Sequence, residues 1–303
     1  MHITIIGAGA LGGLIGFHLA KVTDVTLLDP WAEHVAAINA HGLVCETGGQ
    51  VAAQPLRAVM AAGHVAPADI ALVLVKAHQT PWAATVAAQV LAPHGVAYTL
   101  QNGLGNYEQL VATLGAARVG QGVTTLGATL LGAGRVRQAG FGPTTLGSEP
   151  DHQRALVVAD LLTKSGLVAH VSPDLDGLIW GKLLVNVGIN ALSAILRVPN
   201  GALVTNSAAR QLLEAVVHEA AAVAAAKGIA LPYADPVAQT LEVARATAQN
   251  RSSMLQDILR GSPSEIGAIN GAIVRAGAQL GVPTPLNAML TTLVAAVETL
   301  HEA

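Results

Sequence analysis

Up to about residue 170 the chain alternates short apolar runs with longer segments whose apolar positions recur at helical spacing. The runs at 3–6, 25–28, 70–75 and 96–100 predict strands. The last two are apolar without clean alternation, as expected of strands covered on both faces, and strands alternating with helices build a mainly parallel sheet. Beyond Val119 the texture changes. The segments 124–126, 132–134, 135–137 and 140–143 predict short strands joined by turns, an antiparallel extension of the sheet. A helix near 151–165 and a short strand near 167–171 close this part. From Pro173 onward no strand is predicted; alanine- and leucine-rich segments broken at Pro199, Gly201, Gly228, Pro232, Gly261, Pro263 and Pro283 predict about five to seven helices. The pattern assigns an α/β domain to 1–172 and an all-α domain to 173–303.

Gly7, Ala8, Gly9, Ala10, Leu11 and Gly12 follow the first strand directly and open an amphipathic helix. Glycines in that context permit a tight turn, a close backbone approach to a pyrophosphate and close helix-on-strand packing, while the helix N-terminus favours the anion. Asp29 ends the next apolar run, where a dinucleotide-binding fold places the acid that accepts from the adenosine ribose hydroxyls. The first domain is therefore expected to be of Rossmann type, with Gly7 to Gly12 and Asp29 holding a dinucleotide.

Hydrophobic residues make up 52% of the chain and charged ones 12%, but much of the apolar content is alanine, a helix former. No uninterrupted apolar run reaches membrane length, and the stretch 208–227 is broken by Arg210, Glu214, His218 and Glu219, so no membrane partner is expected. A strand that begins by His2 leaves no room for a signal peptide, and a cytoplasmic protein is expected. The single cysteine, Cys45, excludes an internal disulfide and a cysteine-based metal cluster. With a formal net charge of -3 and no basic cluster, the electrostatic footprint of a nucleic-acid binder is missing. The eleven histidines lack close metal-ligand spacing, so no metal site is expected, and His78 reads as a bystander beside Lys76.

Lys76 and Gln101-Asn102-Gly103 each follow a predicted strand at its carboxyl end, where open α/β sheets bind ligands. For Asn102-Gly103 ordinary turn chemistry is an equally good account. The segment Asp176–Leu196 predicts a helix on which Lys182, Asn186 and Asn190 recur every four residues amid apolar neighbours. An ammonium and two amides on so apolar a helix need a polar cleft or a ligand, unless the lysine snorkels to the surface and the asparagines bond nearby backbone. A third cluster runs from Asn250 to Asp257 and on through Gly261 to Glu265. Ser262, Pro263 and Glu265 have the spacing of a capping box with proline at the first helical position, so Glu265 is a helix-starting residue, a ligand contact, or both. The cleft between the two domains is where a substrate is expected to meet the cofactor.

These motifs together resemble the ketopantoate reductase (2-dehydropantoate 2-reductase) family over essentially the whole chain: Gly7 to Gly12, Lys76-Ala77, Gln101 to Asn106, Lys182 to Ile195, Asn250 to Asp257 and Ser264 to Gly271. The resemblance implies that Lys182 is the general acid and Glu265 a substrate-binding or catalytic carboxylate. It further implies that Ser253, Asn186 and Asn190 hold a small 2-oxo acid, with Lys76 and Asn102 near cofactor and substrate. Members that use NADPH carry a basic residue after the second strand, where this chain has Asp29, which accepts from a diol and repels a phosphate. NAD(H) is therefore favoured, and NADP(H) stays open as the alternative through Arg57 or another distant cation. The expected activity is reduction of 2-dehydropantoate to pantoate, a step of pantothenate biosynthesis. Its alternatives are a family member acting on a different 2-oxo or 2-hydroxy acid, and a non-catalytic NAD(H) sensor. The long apolar helical domain is compatible with a homodimer.

Overall fold

The computed structural model describes residues 1–301, of His301 the backbone alone. The chain packs as two compact units, one formed by Met1–Gln101 and Asn106–Leu175, the other by Asn102–Gly105 and the chain from Asp176 on.

The first unit runs β1 (His2–Ile6), α1 (Ala10–Leu19), β2 (Asp24–Leu28), α2 (Ala32–His41), β3 (Leu43–Thr47), β4 (Gln50–Gln54), β5 (Arg57–Val59), β6 (Ala68–Val73), α3 (Thr80–Val90), β7 (Leu91–Thr99), α4 (Asn106–Leu114), β8 (Val119–Gly132), β9 (Arg135–Gly147), α5 (His152–Lys164) and β10 (Ala169–Ser172). Among the described residues ten strands form one sheet in the order β4-β3-β9-β8-β7-β6-β1-β2-β5, with β10 beside β9. From β8 to β5 neighbouring strands are parallel. Successive side chains of a strand point to opposite faces. Ile3, Ile5, Ile70, Leu72, Val96 and Tyr98 thus enter the core under α1 and α5, while Ile6, Ala71, Val73 and Ala97 enter the core under α3 and α4. Burial on both faces is why these strands read as unbroken apolar runs.

The chain leaves β1 toward β2 and β5 on one side and returns to β6 and β7 on the other, so a topological switch point lies between β1 and β6. The loops after β1, β6 and β7 emerge side by side at the carboxyl end of the parallel strands, the place where such sheets bind ligands.

The second unit is all helical: α6 (Asp176–Leu196), α7 (Ala202–Thr205), α8 (Ser207–Ala226), α9 (Pro236–Ala246), α10 (Ser253–Leu259), α11 (Asn270–Leu280) and α12 (Pro285–His301). Helix α6 is its central rod, burying Trp180, Leu183, Leu184, Val187, Ile189, Ala191 and Leu192. By length and composition α6 is apolar enough to cross a membrane, but 67% of its most apolar window is buried within the fold, as in the core helix of a helical bundle.

Three sequence expectations need correction. The segments after Val119 are not four short strands but two long ones, β8 and β9, in a single antiparallel hairpin whose register shifts at three places. Glycines such as Gly127 and Gly140, whose backbones approach closely across the hairpin, interrupt the alternation without ending the pairing. Strand β6 ends at Val73 rather than at residue 75, although Leu74 N–H still donates to Ile6 O at 2.9 Å. No helix starts at Pro263: residues 265–269 form turns, and α11 begins only at Asn270. The expected capping box is therefore replaced by a local turn in which Ile266 N–H donates to Ser264 Oγ at 3.2 Å.

Candidate active site

The glycine loop leaves β1 in a conformation that only glycine adopts freely. Gly7 has φ +94, and its N–H donates to Leu28 O at 2.8 Å. A Cβ at Gly12 would lie 1.9 Å from the carbonyl oxygen of Gly7, whereas one at Gly9 would meet nothing within 4 Å. The loop is thus closed tightly on its own backbone at Gly12 and unobstructed at the Cβ position of Gly9, the N-cap of α1. The first N–H groups of a helix have no intrahelical acceptor, so this end of α1 suits a pyrophosphate. Gly12→Ala forces the loop and α1 apart. We expect it to cost about 1–3 kcal/mol of stability and to abolish dinucleotide binding, as read by thermal melts and ligand titration.

Asp29 secures the same loop. Its Oδ2 accepts from Ala8 N–H at 2.8 Å and its Oδ1 from Trp31 N–H at 2.9 Å. The carboxylate therefore stands at the first turn of the loop, at the carboxyl end of β2.

Lys76 lies in the segment after β6, at the start of a tight turn over Ala77–Gln79. A polar clasp joins this segment to the one after β7. Gln101 Nε2 donates to Val75 O and to Thr80 Oγ1, both at 2.9 Å. Thr99 Oγ1 donates to Gln101 Oε1, and Thr80 Oγ1 to Asn106 Oδ1, each at 2.9 Å. Sequence reasoning singled out neither Thr80 nor the side chain of Gln101. The only hint was their place beside Lys76 and Asn102.

In the second unit three residues from distant parts of the chain form a line. Lys182 Nζ donates to Asn102 Oδ1 at 2.7 Å, and Asn102 Nδ2 donates to Glu265 Oε2 at 3.1 Å. An ammonium only donates and a carboxylate only accepts, so this pair dictates the orientation of the amide. Asn102 reaches this position because the turn after it docks on residues 265–269. Leu104 N–H donates to Ala268 O at 2.9 Å, and Gly103, at φ +82, passes so close that a Cβ would lie 2.2 Å from that oxygen. Glu265 is 5% exposed. Burial pulls the Lys182 ammonium down to about 8, against the opposing attraction of Glu265, which favours the charged form.

Asn186 and Asn190 follow Lys182 at successive turns of α6, Asn186 half-buried and Asn190 buried. Of the serine pair, Ser252 is the buried one: it accepts from Leu255 N–H at 3.1 Å as the N-cap of α10 and from Ser193 Oγ at 2.7 Å. Ser253, the first residue of α10, is exposed. No group of three or more His, Cys, Asp or Glu able to hold a metal ion occurs among the described residues.

A family model described as ketopantoate reductase PanE/ApbA matches residues 3–151, and its C-terminal counterpart matches residues 174–298. The chain belongs to the ketopantoate reductase family. It is 35% identical over 303 residues to a 2-dehydropantoate 2-reductase of Pyrococcus horikoshii, a match covering 99% of this chain and 98% of that one. Among solved structures it resembles a PanE/ApbA family ketopantoate reductase of Ralstonia eutropha JMP134, with TM-score 0.92, 34% identity and the whole of both chains covered. It is also similar to D-mandelate dehydrogenase in ternary complex with NADH and anilino(oxo)acetate, with TM-score 0.92, 31% identity and full coverage of both chains. As a member of the ketopantoate reductase family the protein is an NAD(P)-dependent oxidoreductase with a Rossmann-type domain. This chain is thus similar in fold both to a ketopantoate reductase and to a D-mandelate dehydrogenase.

Proposed function

We propose that the protein reduces 2-dehydropantoate to pantoate, with NADH as the favoured cofactor. The observation that carries this reading is the Lys182–Asn102–Glu265 line, an ammonium held by an amide beside a buried carboxylate. The nicotinamide cofactor, when bound through the Gly7 to Gly12 loop, supplies the hydride. As negative charge develops on the ketone oxygen, Lys182 stabilises it and gives up a proton from Nζ. Lowered to about 8, that ammonium is a better acid near neutrality than an ordinary lysine. Asn102 positions Nζ. Glu265 accepts from the substrate hydroxyl, and Ser253, Asn186 and Asn190 donate to the substrate carboxylate. Lys76 stands near the cofactor on the segment after β6.

Asp29 supports the choice of NADH. Its oxygens already accept from backbone N–H groups at the dinucleotide loop, so a 2′-phosphate brought beside it meets a fixed negative charge. The test is the initial rate of NADH and NADPH oxidation with 2-dehydropantoate. Turnover favouring NADH is expected, and Asp29→Ser is expected to raise the NADPH-to-NADH ratio of kcat/KM by about tenfold, the effect of roughly 1.4 kcal/mol of relieved repulsion. A wild-type preference for NADPH overturns the role of Asp29 and leaves the reductase reading standing.

The likeness to D-mandelate dehydrogenase favours a second reading, a related reductase for another 2-oxo acid. Turnover of such an acid with none of 2-dehydropantoate selects it. Cofactor binding without turnover of any 2-oxo acid selects a sensor instead.

A further inference from the structure

We propose that His34 is a positioning residue for cofactor binding, aiming the backbone of the glycine loop at the dinucleotide pyrophosphate. The inference rests on the reading of that loop as the dinucleotide site. His34 is 1% exposed, on α2, and both of its ring nitrogens are engaged. Gly134 N–H, in the turn between β8 and β9, donates to Nδ1 at 2.9 Å, so Nδ1 carries no proton and Nε2 does. Nε2 then donates to Ala8 O, also at 2.9 Å. Trp31 stacks on the ring at 5.1 Å between centroids and 3° between planes, which fixes its orientation.

The consequence follows from peptide geometry. In a trans peptide the C=O and the N–H point in opposite directions. With the Ala8 carbonyl drawn to His34, the N–H of Gly9 in the same peptide points away from it, and a Cβ built at Gly9 would meet nothing within 4 Å. Asp29 holds the other side of Ala8 through its N–H. The residue is thus clamped on both sides, by Asp29 just after β2 and by His34 on α2. His34 also ties the loop to the β8–β9 turn, more than a hundred residues further along the chain.

The two ring nitrogens can be separated by substitution. In His34→Gln the side-chain amide nitrogen takes the place of Nε2 and keeps the bond to Ala8, while in His34→Asn the amide oxygen takes the place of Nδ1 and keeps only the bond to Gly134. Binding of NADH and of NADPH is titrated for wild type and both variants, with thermal melts and kcat at saturating cofactor alongside. If the loop contact does the positioning, His34→Asn weakens binding about three- to tenfold, the effect of one hydrogen bond, His34→Gln stays within about twofold of wild type, and kcat is unchanged in both. Equal affinities in the two variants, whether both wild-type or both weakened, overturn the proposal, as does a loss confined to His34→Gln or a fall in kcat at unchanged affinity. Failure of wild type to bind either dinucleotide overturns the cofactor reading itself, and is seen before any variant is made.

Discussion

Lys182→Ala is expected to lower kcat for ketone reduction by about 10²–10⁴-fold, the usual contribution of a positioned general acid, while cofactor affinity holds. The alanine removes both the proposed proton donor and the charge proposed to stabilise the developing alkoxide. Lys182→Arg is not expected to restore the rate, because a guanidinium keeps its proton throughout the accessible pH range. The wild-type pH profile carries the same signature with a definite sign. Reduction needs the protonated amine, and burial has brought its pKa down to about 8. Thus kcat/KM for reduction is flat below that value and falls about tenfold per pH unit above it, whereas oxidation of the hydroxy acid, which needs the neutral amine, rises toward pH 8 and then levels. A reductive profile that stays flat up to pH 10 rules out a general acid titrating near 8, since only a lysine at its ordinary value of about 10.4 keeps its proton over that range.

Of the site residues, those on regular elements are the ones that local pattern reveals. Helix α6 has the bounds Asp176–Leu196 that its composition predicts, so the four-residue spacing of Lys182, Asn186 and Asn190 translates directly into one helix face. Gly7 to Gly12 are legible for the same reason, because a turn between strand and helix makes its own local demands. The bonds that join Asn102 to Lys182 and to Glu265 span 80 and 163 residues, and no periodicity encodes a contact of that kind. Glu265 illustrates the conflict most sharply. Its spacing from Ser262 favours a capping box, yet its carboxylate faces Asn102 and the backbone winds into turns instead, so tertiary demand overrides a local preference. Strands β3, β4 and β5 escaped notice for a related reason: the exposed Gln50–Gln54 and the three-residue Arg57–Val59 present little apolar pattern, and pairing with neighbours defines them. His34 carried no signal at all, since a lone histidine on a short helix is ordinary until its two partners are located.

Asn102→Asp separates the electrostatic part of the Lys182 site from its geometry. The substitution keeps the acceptor facing Nζ but puts a second carboxylate oxygen where the amide N–H now donates to Glu265 Oε2 at 3.1 Å. Two carboxylates at that distance cannot both ionise freely, so one takes up a proton at a raised pKa and the pair still carries negative charge toward Lys182. With the shared proton on Glu265, the negative charge sits on the aspartate directly against Nζ, nearer than Glu265 stands in the wild type, and it stabilises the ammonium, opposing the burial that holds it near 8. The alkaline limb of kcat/KM is therefore expected to move up by about one unit or more. At neutral pH kcat falls about 10–100-fold, since the acid is weaker and its partner geometry disturbed. Asn102→Ala provides the control. It removes both hydrogen bonds and brings no charge nearer the amine, so the rate falls while the limb does not move upward. An upward shift in the aspartate variant alone shows that Asn102 lies within electrostatic reach of the titrating amine during turnover. A limb that stays near pH 8 in both shows that the line of three residues is not the one that titrates.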